Sequence, residues 1–506
     1  MSPPKKRRTA AKPYSLRSNP HLYEINTWAW LEKLSARGGR TIRLQDIPDS
    51  EWDALASSGF NVVWLMGVWR RSAEARRVAL ANSEKGRHDY DLALPGWKPE
   101  DIIGSPYSVA AYSPDPRIGT FDSVDLIREK LHRRGMGLFL DFVGNHTALD
   151  HPWMREHPEF YVQGSEEDFK KEPGNIYRVD GRKGANFTAL GRDPYFPPWP
   201  DVAQLNYFSP ELRAAQIAEL GSIAQHCDGV RCDMAMLQLS DVFERVWSHL
   251  LGGAKAPAKE FWAEARAAVP SLILLAEAYW GTEQRLLDLG FSFVYDKSLY
   301  DAVRDSNVGA VHGALEQSAD YQGHLARFLE NHDEGRCATV FHPERLNAVG
   351  TIMGSLPGMR FYHQCELEGV RAHLPITLRM AADEARDPVS AQFFEKILRI
   401  TSEDVFHEGT WSLLQVTPDN DDTSGNLIVY EWRWKKSWKL IAANLAGYPS
   451  QGRVHFGDRP LPKKQYAFYD QLHDVRYVRD TSELRSIGLF VRRDGFDAHL
   501  FDITPA

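Results

Sequence analysis

The sequence predicts an α/β fold: a parallel TIM (β/α)8 barrel with an inserted lobe after the third strand and a C-terminal antiparallel β-sandwich. Between residues 22 and 362, short apolar runs alternate with amphipathic stretches, as is typical of repeated βα units. Three acidic residues, Asp233, Glu277 and Asp333, each follow such a run. Buried carboxylates are costly, and the carboxyl ends of barrel strands converge on one face. The three acids therefore indicate a shared site on that face.

Eight short apolar runs are predicted to be the barrel strands. Runs of this length are too short for buried helices, and their unbroken apolar character suits strands that are covered on both faces. The predicted strands are 22–25, 62–66, 137–142, 229–233, 272–277, 291–295, 326–330 and 359–362.

The helices between these strands are predicted from their capping residues. A helix over 49–58 ends at Gly59, directly before the second strand. Ser123 is predicted to cap the helix that precedes the third strand. Ser209 followed by Pro210 predicts the start of another helix, before the fourth strand.

Two long segments, 68–106 and 147–206, interrupt this rhythm after the second and third strands. Both begin at the carboxyl end of a strand, so both are expected on the active face of the barrel. The predicted domains are therefore a barrel formed by 21–146 and 207–408, an inserted lobe at 147–206 and a sandwich at 409–506. Residues 1–20 contain the basic cluster Lys5-Lys6-Arg7-Arg8 and are predicted to be a disordered tail.

The composition excludes several classes of function. A formal net charge of −8 disfavours a general nucleic-acid-binding face. No apolar run approaches the ~20 residues that span a bilayer, so no membrane partner is expected. The N-terminus has no apolar signal region, and a cytoplasmic location is expected. The four cysteines fit no zinc-binding spacing and are interpreted as buried thiols.

The surroundings of the three acids indicate different protonation states. Arg231 and Asp233 are two apart on a strand and point to the same face, so the guanidinium is expected to lower the pKa of Asp233. Small apolar neighbours are expected to raise the pKa of Glu277 and keep it protonated as a general acid. Asp333 follows Asn331-His332 and is suited to bind sugar hydroxyls and stabilise positive charge. Taken alone, Asp233 is better explained by a buried ion pair with Arg231, and Glu277 could be a salt-bridged residue at a strand end. His332 could be a core imidazole with a satisfied hydrogen bond.

A second group of polar residues follows the third predicted strand. Asp141 is expected to face inward and support Arg231, and His146 to donate to a sugar hydroxyl. No second histidine lies two to four positions from His146, which disfavours a catalytic metal. From the residues alone, two carboxylates with a third nearby are a suitable set for glycosidic chemistry.

Together these segments resemble the ordered signature of the α-amylase family, glycoside hydrolase family 13. The matching elements, in the family's order, are Asp141…Asn145-His146, Gly229…Arg231…Asp233, Glu277 and Asn331-His332-Asp333, preceded by Ser105-Pro106-Tyr107. The resemblance implies a retaining mechanism in which Asp233 is the nucleophile, Glu277 the acid/base and Asp333 the transition-state stabiliser. It also implies a substrate subsite formed by Tyr107, Asp141, Asn145, His146, Arg231 and His332.

The sequence departs from the family's pattern shortly after Asp233. Starch-degrading members carry a Lys-His pair shortly after the nucleophile, whereas this chain reads Met234-Ala235-Met236-Leu237. Asn145 retains one potential calcium ligand, so calcium is possible but is not expected to be essential, and no cofactor is expected.

We therefore expect a glycosidase that acts on α-glucosidic bonds of small oligosaccharides or modest glucans. A transglycosylase, isomerase or phosphorolytic enzyme of the same family is the alternative. A catalytically inactive carbohydrate-binding scaffold is a further reading, which the presence of all three acids disfavours.

Overall fold

The computed structural model describes residues 14–181, 184–341 and 343–506, and at its centre eight parallel strands close into a barrel. The strands in chain order are β1 His21–Asn26, β2 Val62–Met66, β3 Trp69–Arg71, β4 Val109–Pro114, β5 Gly137–Phe142, β6 His146–Ala148, β7 Ile176–Gly181, β8 Gly184–Ala189, β9 Val202–Gln204, β10 Gly229–Cys232, β11 Ile273–Ala276, β12 Phe293–Tyr295, β13 Leu325–Arg327, β14 Met359–His363, β15 Thr410–Leu413, β16 Gln415–Thr417, β17 Leu427–Trp434, β18 Ser437–Asn444, β19 Ser450–His455, β20 Gln465–Asp470, β21 Val475–Asp480, β22 Leu489–Arg493 and β23 Ala498–Pro505. The barrel order is β1-β14-β13-β12-β11-β10-β5-β2. The predicted barrel is confirmed.

Helices cover the outside of the barrel and continue into the insertions. They are α1 Thr27–Gly38, α2 Asp49–Ser57, α3 Ala73–Ala81, α4 Arg87–Ala93, α5 Phe121–His132, α6 Trp153–Glu156, α7 Glu166–Lys171, α8 Pro210–Ile223, α9 Ser240–Trp247, α10 Phe261–Ala268, α11 Glu283–Asp288, α12 Lys297–Arg304, α13 Val308–Leu315, α14 Ala319–Gly323, α15 Cys337–Val340, α16 Pro343–Ser355, α17 Pro388–Thr401, α18 Asp404–Glu408 and α19 Thr481–Ser486. None of the described helices is both long enough and apolar enough to cross a bilayer.

Two of the predicted helix boundaries agree with the structure, and one differs from it. Helix α2 ends just before Gly59, and Ser209 caps α8 by accepting from the Leu212 N–H at 3.2 Å. The prediction for Ser123 is wrong: α5 begins after Thr120, and the Ser123 hydroxyl lies in the first turn. There it accepts from the Thr120 N–H at 3.2 Å, as in a capping box.

Three barrel strands end earlier than predicted, because the chain leaves the sheet before each acidic residue. Strand β10 ends at Cys232 and β11 at Ala276, one residue before Asp233 and Glu277. Strand β13 ends at Arg327, well before Asp333. Main-chain hydrogen bonds still run past the strand ends, from Asp233 to Phe142 at 2.9 Å and from Glu277 to Cys232 at 3.1 Å. The backbone that carries two of the acids is therefore fixed.

The inserted segment after β5 forms a small lobe on the carboxyl face of the barrel. Strands β6 and β9 pair antiparallel and join the lobe to the barrel, and β7 and β8 form a hairpin. The lobe packs into the main apolar core through residues such as Tyr161, Leu190 and Leu205. This packing fixes the position of its residues over the barrel.

Two antiparallel sheets form the C-terminal domain, one of six strands (β15-β17-β18-β23-β20-β21) and one of three (β16-β19-β22). Side chains from both sheets, including Leu440, Val454 and Val491, form one apolar cluster, as in a sandwich. The Trp432 indole N–H donates to the Ser355 carbonyl of α16 at 2.8 Å and joins this domain to the barrel.

Residues 14–20 correct the prediction of a tail over 1–20, and the basic cluster of that tail lies outside the described residues. The Tyr14 hydroxyl donates to the Asn61 carbonyl at 2.9 Å, and the Tyr14 ring stacks on His132. This segment therefore closes the end of the barrel opposite the predicted site. The cysteine prediction is largely met: Cys227, Cys232 and Cys337 are buried, and all four cysteines are free thiols.

Candidate active site

A cavity of about 350 Å³ lies at the carboxyl ends of the barrel strands, beneath the inserted lobe. Its volume is within the range of about 300–1,000 Å³ that holds small ligands. It is lined by Ser105, Tyr107, His146, Trp199, Asp201, Val202, Asp233, Met234, Glu277, Asp333, Ile376 and Thr377. The structure thus brings the three predicted acids, Tyr107 and His146 together around one cavity.

Arg231 bridges two of these acids from below. One terminal nitrogen donates to Asp233 Oδ1 at 2.5 Å, and the other lies 2.8 Å from Glu277 Oε2. The Arg231 Nε donates to the Tyr295 hydroxyl at 3.3 Å. The planar fork of a guanidinium holds two carboxylates at fixed positions, which a lysine cannot do. Asp233 and Glu277 therefore stand side by side at the cavity floor.

The free oxygen of Asp233 is available to a substrate. Among the described residues, none donates to Asp233 Oδ2, whereas Glu277 is held at both oxygens. The Met234 N–H donates to Glu277 Oε2 at 2.6 Å, and the Tyr279 hydroxyl donates to Glu277 Oε1 at 2.7 Å. Met234 adopts a left-handed backbone conformation, with φ of 43°, that turns its N–H toward Glu277.

Burial raises the pKa of both acids. For Glu277, desolvation outweighs the attraction of Arg231, and the charge of Asp233 raises the pKa further, as predicted. For Asp233, the predicted lowering is wrong in its net direction. Desolvation raises the pKa of Asp233, and the Arg231 contact opposes this rise without cancelling it.

Asp333 has the opposite character, because it is paired with a protonated histidine. Its side chain is 46% accessible from the cavity, and Oδ2 lies 3.0 Å from His332 Nε2. Burial in the cleft acts to raise the pKa of Asp333, but the His332 charge lowers it to about 2. Burial likewise acts to lower the pKa of His332, but Asp333 and Glu24 raise it well above its ordinary value. Asp333 is therefore ionised throughout the physiological range.

His332 is oriented by two residues from opposite sides. Glu24, on β1, contacts its Nδ1 at 2.5 Å, and the Tyr107 hydroxyl contacts its Nε2 at 2.8 Å. The Tyr107 ring also stacks on His332 and lies 5.1 Å from the Arg231 guanidinium carbon. Glu24 is a residue that the sequence reasoning missed. The signal in the sequence is an acidic residue within the first predicted barrel strand. In the structure, Glu24 is fully buried in strand His21–Asn26.

Four predicted substrate-binding residues do not line the cavity. Arg231 and His332 lie behind the acids that they contact. Asp141 accepts from the Trp64 indole at 3.0 Å and the Gly67 N–H at 2.7 Å, and burial raises its pKa to about 6. It pairs in register with Arg231 on the next strand. Asp141 therefore supports the strand ends, because its carboxyl group is already used by other parts of the protein.

Asn145 is the fourth residue, and its surroundings do not fit the calcium ion that the family resemblance suggests. Its side-chain and main-chain oxygens each accept from the Gln204 amide at 3.0 Å, and its amide nitrogen donates back to Gln204 Oε1 at 3.3 Å. Calcium requires about six to eight oxygen ligands, usually including carboxylates. Here a neutral amide pair uses the oxygens that a cation would need.

One other cluster has the composition of a metal site. Asp470, His473 and His499 place their ligand atoms within 4.8 Å of one another in the C-terminal domain. Both histidines hydrogen-bond Asp470 Oδ2 through Nδ1, at 2.8 and 2.5 Å. The Arg493 guanidinium lies 3.2 Å from His499 Nε2, and its positive charge disfavours a metal cation. This cluster is a hydrogen-bonded link between β20 and β23.

Exposed aromatic rings lie close in the chain to the cavity residues Glu277 and Trp199. Trp280 and Tyr195 meet at a ring distance of 5.0 Å, and both are exposed, with Phe196 beside Tyr195. Buried Asp193 accepts from the Tyr195 and Phe196 N–H groups at 2.6 and 3.0 Å and fixes that turn. Sequence reasoning missed Trp280, which has a φ of 63°.

Trp69 and two of the residues that replace the Lys-His pair do not line the cavity. Trp69 is buried, and its indole N–H donates to the Asp141 carbonyl at 2.8 Å. Met236 and Leu237 are buried in a 3₁₀ turn, Ala235–Gln238. Met234 lines the cavity instead.

The sequence model of the alpha amylase catalytic domain matches residues 53–287, which include Asp233 and Glu277. This part of the chain, a little under half of its length, matches the α-amylase catalytic domain. It is 24% identical over 292 residues to alpha-amylase 3 of Dictyoglomus thermophilum, a match that covers 52% of this chain and 53% of that protein. It is 30% identical over 152 residues to an alpha-1,4-glucan:maltose-1-phosphate maltosyltransferase of Arcanobacterium haemolyticum, covering 26% and 20% of the two chains.

The chain thus spans about half the length of the first of these relatives and a fifth of the second. The fold of the chain also resembles that of a noncanonic maltogenic alpha-amylase, AmyB, from Thermotoga neapolitana. The two share a TM-score of 0.67 and 18% identity, over 96% of this chain and 99% of that one. This likeness agrees with the fold described above.

Proposed function

We propose that the protein is a retaining glycoside hydrolase that cleaves α-glucosidic bonds of small oligosaccharides or short glucans. The observation that carries this proposal is the bridge from Arg231 to both Asp233 and Glu277 at the floor of the cavity. One guanidinium holds the two carboxyl groups close together, and a covalent intermediate requires such a pair at about 5–5.5 Å.

In the first step, Asp233 Oδ2 attacks the anomeric carbon while the bond to the leaving oxygen breaks. Glu277 gives its proton to that oxygen, and its raised pKa supports this role. Asp333, ionised beside His332, stabilises the positive charge that develops on the sugar ring. In the second step, ionised Glu277 takes a proton from water, whose oxygen displaces Asp233 and releases a sugar of the original α configuration.

The shape of the cavity favours short substrates. The Lys-His pair of starch-degrading members is replaced by residues of which Met236 and Leu237 are buried. The exposed rings of Trp280 and Tyr195 are suited to stack on one sugar next to the cleaved bond. Tyr279 connects this aromatic pair to Glu277, which places it on the leaving-group side.

The transfer of the glycosyl group to a sugar acceptor remains the second candidate, and the same aromatic pair favours it, because a stacked acceptor competes with water. A phosphorolytic reaction has less support. None of the residues that line the cavity in the described part of the chain is a lysine or arginine, the usual partners of phosphate. The maltosyltransferase relative is named for maltose 1-phosphate, a sugar phosphate. The cavity of this chain is less suited to a sugar phosphate than to a neutral sugar.

The test is to incubate the protein with maltose, isomaltose, trehalose, sucrose and maltooligosaccharides and to resolve every product. We expect glucose or short oligosaccharides from at least one neutral disaccharide. Asp233→Asn, Glu277→Gln and Asp333→Asn should each reduce turnover by orders of magnitude, and Asp458→Asn, an exposed change in the C-terminal domain, should not. Products longer than the substrate would favour transfer, and wild-type turnover from folded Asp233→Asn protein would refute the assignment.

A further inference from the structure

Asp201 is an acid in the cavity that the proposed mechanism does not use. It lies just before β9 in the inserted lobe, and its main-chain carbonyl accepts from the Ser108 hydroxyl at 2.8 Å. This contact fixes the backbone against the loop that carries Tyr107. Asp201 lines the same cavity as Asp233, Glu277 and Asp333.

The carboxyl group of Asp201 lacks a partner of the kind that the other acids have. Within the described residues, its own main-chain N–H is the donor that reaches it, and no other group donates to it. Desolvation raises its pKa to about 6, although the residue stays partly accessible from the cavity. Placing such a group without a partner is costly, and a donor on a bound substrate would remove that cost.

The charges around the cavity determine what kind of donor fits. The Arg231 charge is shared by Asp233 and Glu277, and the His332 charge by Asp333 and Glu24. Asp201 has no such cation, and no lysine or arginine lines the cavity in the described chain. A sugar hydroxyl can donate to Asp201, whereas a phosphate or carboxylate would be repelled by it and would find no cation.

We propose that Asp201 binds a hydroxyl group of the substrate and restricts the cavity to uncharged sugars. This inference rests on the proposed function, since it deepens the substrate class of the same site. Asp201 is a specificity determinant and takes no part in bond breaking. Its loss should therefore affect KM and the choice between substrates more than kcat.

The kinetic test compares 4-nitrophenyl α-glucoside with its 6-phosphate. The wild type should prefer the neutral substrate by about a hundredfold in kcat/KM. In Asp201→Asn the KM for the neutral substrate should rise about tenfold with little change in kcat. The ratio of kcat/KM for the neutral substrate to that for the 6-phosphate should become smaller. Asp201→Glu, which keeps the charge, should retain the preference, and Asp458→Asn should behave as the wild type. An unchanged preference in Asp201→Asn would overturn the proposal.

A binding test separates this inference from the proposed function. Calorimetry on Asp233→Asn protein measures the affinity for maltose and for maltose 1-phosphate without turnover. The role of Asp201 would be supported if Asp233→Asn protein binds maltose more tightly than maltose 1-phosphate, and if adding Asp201→Asn weakens the binding of maltose. This holds even if the wild type cleaves neither sugar. Equal binding of both sugars, or an unchanged affinity in the double variant, would overturn the role of Asp201 even if hydrolysis is observed. Failure to bind or cleave any neutral sugar would overturn both proposals.

Discussion

Replacement of Arg231 by lysine tests whether one guanidinium organises both reacting acids. Arginine donates to Asp233, Glu277 and Tyr295 at once. A lysine ammonium keeps the charge but cannot span both carboxylates, so at least one charge-assisted hydrogen bond is lost. Such a bond is worth about 1.5–3 kcal/mol, which corresponds to a fall of about 10- to 150-fold in kcat/KM.

The pH dependence should change together with the rate. Burial already raises the pKa of Asp233, and the Arg231 contact opposes that rise. Weakening the contact raises the pKa further, so Asp233 stays protonated to a higher pH. The acidic limb of kcat/KM should therefore move to higher pH in Arg231→Lys.

The assay is kcat/KM for 4-nitrophenyl α-glucoside over pH, together with urea denaturation of each variant. Arg231→Met leaves two buried carboxyl groups without a cation and should cost about 3–5 kcal/mol of stability at neutral pH. Arg231→Lys should cost less. Activity of Arg231→Lys within twofold of wild type, with an unmoved acidic limb, would refute the bridging role.

Three further predictions concern the same cavity. His332→Asn should raise the pKa of Asp333 from about 2, because burial then acts without the histidine charge. The acidic limb of kcat/KM should therefore move to higher pH, and an unchanged pH profile would contradict the pairing of Asp333 with His332. A chelator should leave activity unchanged, since Gln204 occupies the oxygens of Asn145; a loss restored by calcium alone would show a cation site. In a series from maltose to soluble starch, kcat/KM should stop rising within a few sugar units; a steady increase would show that the replaced residues after Asp233 do not limit the site.

Much of the fold could be predicted from the sequence, because barrel strands are short, apolar and separated by capped helices. Each predicted barrel strand is found, and three of them, β10, β11 and β13, end earlier than predicted, where the chain turns toward the cavity. The strand predicted at 326–330 was too long because Phe328 and Leu329 are apolar. In the structure, strand pairing stops at Arg327, and these two residues are buried beyond the end of the sheet. Local hydrophobicity does not reveal where hydrogen bonding between strands ends.

The site could be predicted as a set of residues but not as a geometry. The order of the acids identified Asp233, Glu277 and Asp333, since strand ends converge in a barrel. The support from Glu24 could not be predicted, because it comes from the first strand and reaches His332 across the closed barrel. The direction of the Asp233 pKa depends on the balance between burial and Arg231, which sequence spacing alone does not give.

The central claim is that Asp233 forms a covalent bond to the sugar, and trapping that bond tests it most directly. The protein is incubated with 5-fluoro-α-glucosyl fluoride, which slows release of the intermediate, then digested and analysed by peptide mass spectrometry. The account predicts a glycosyl adduct on the peptide that contains Asp233, absent in Asp233→Asn. An adduct on Glu277 or Asp333, or rapid turnover of ordinary substrate by Asp233→Asn, would contradict it.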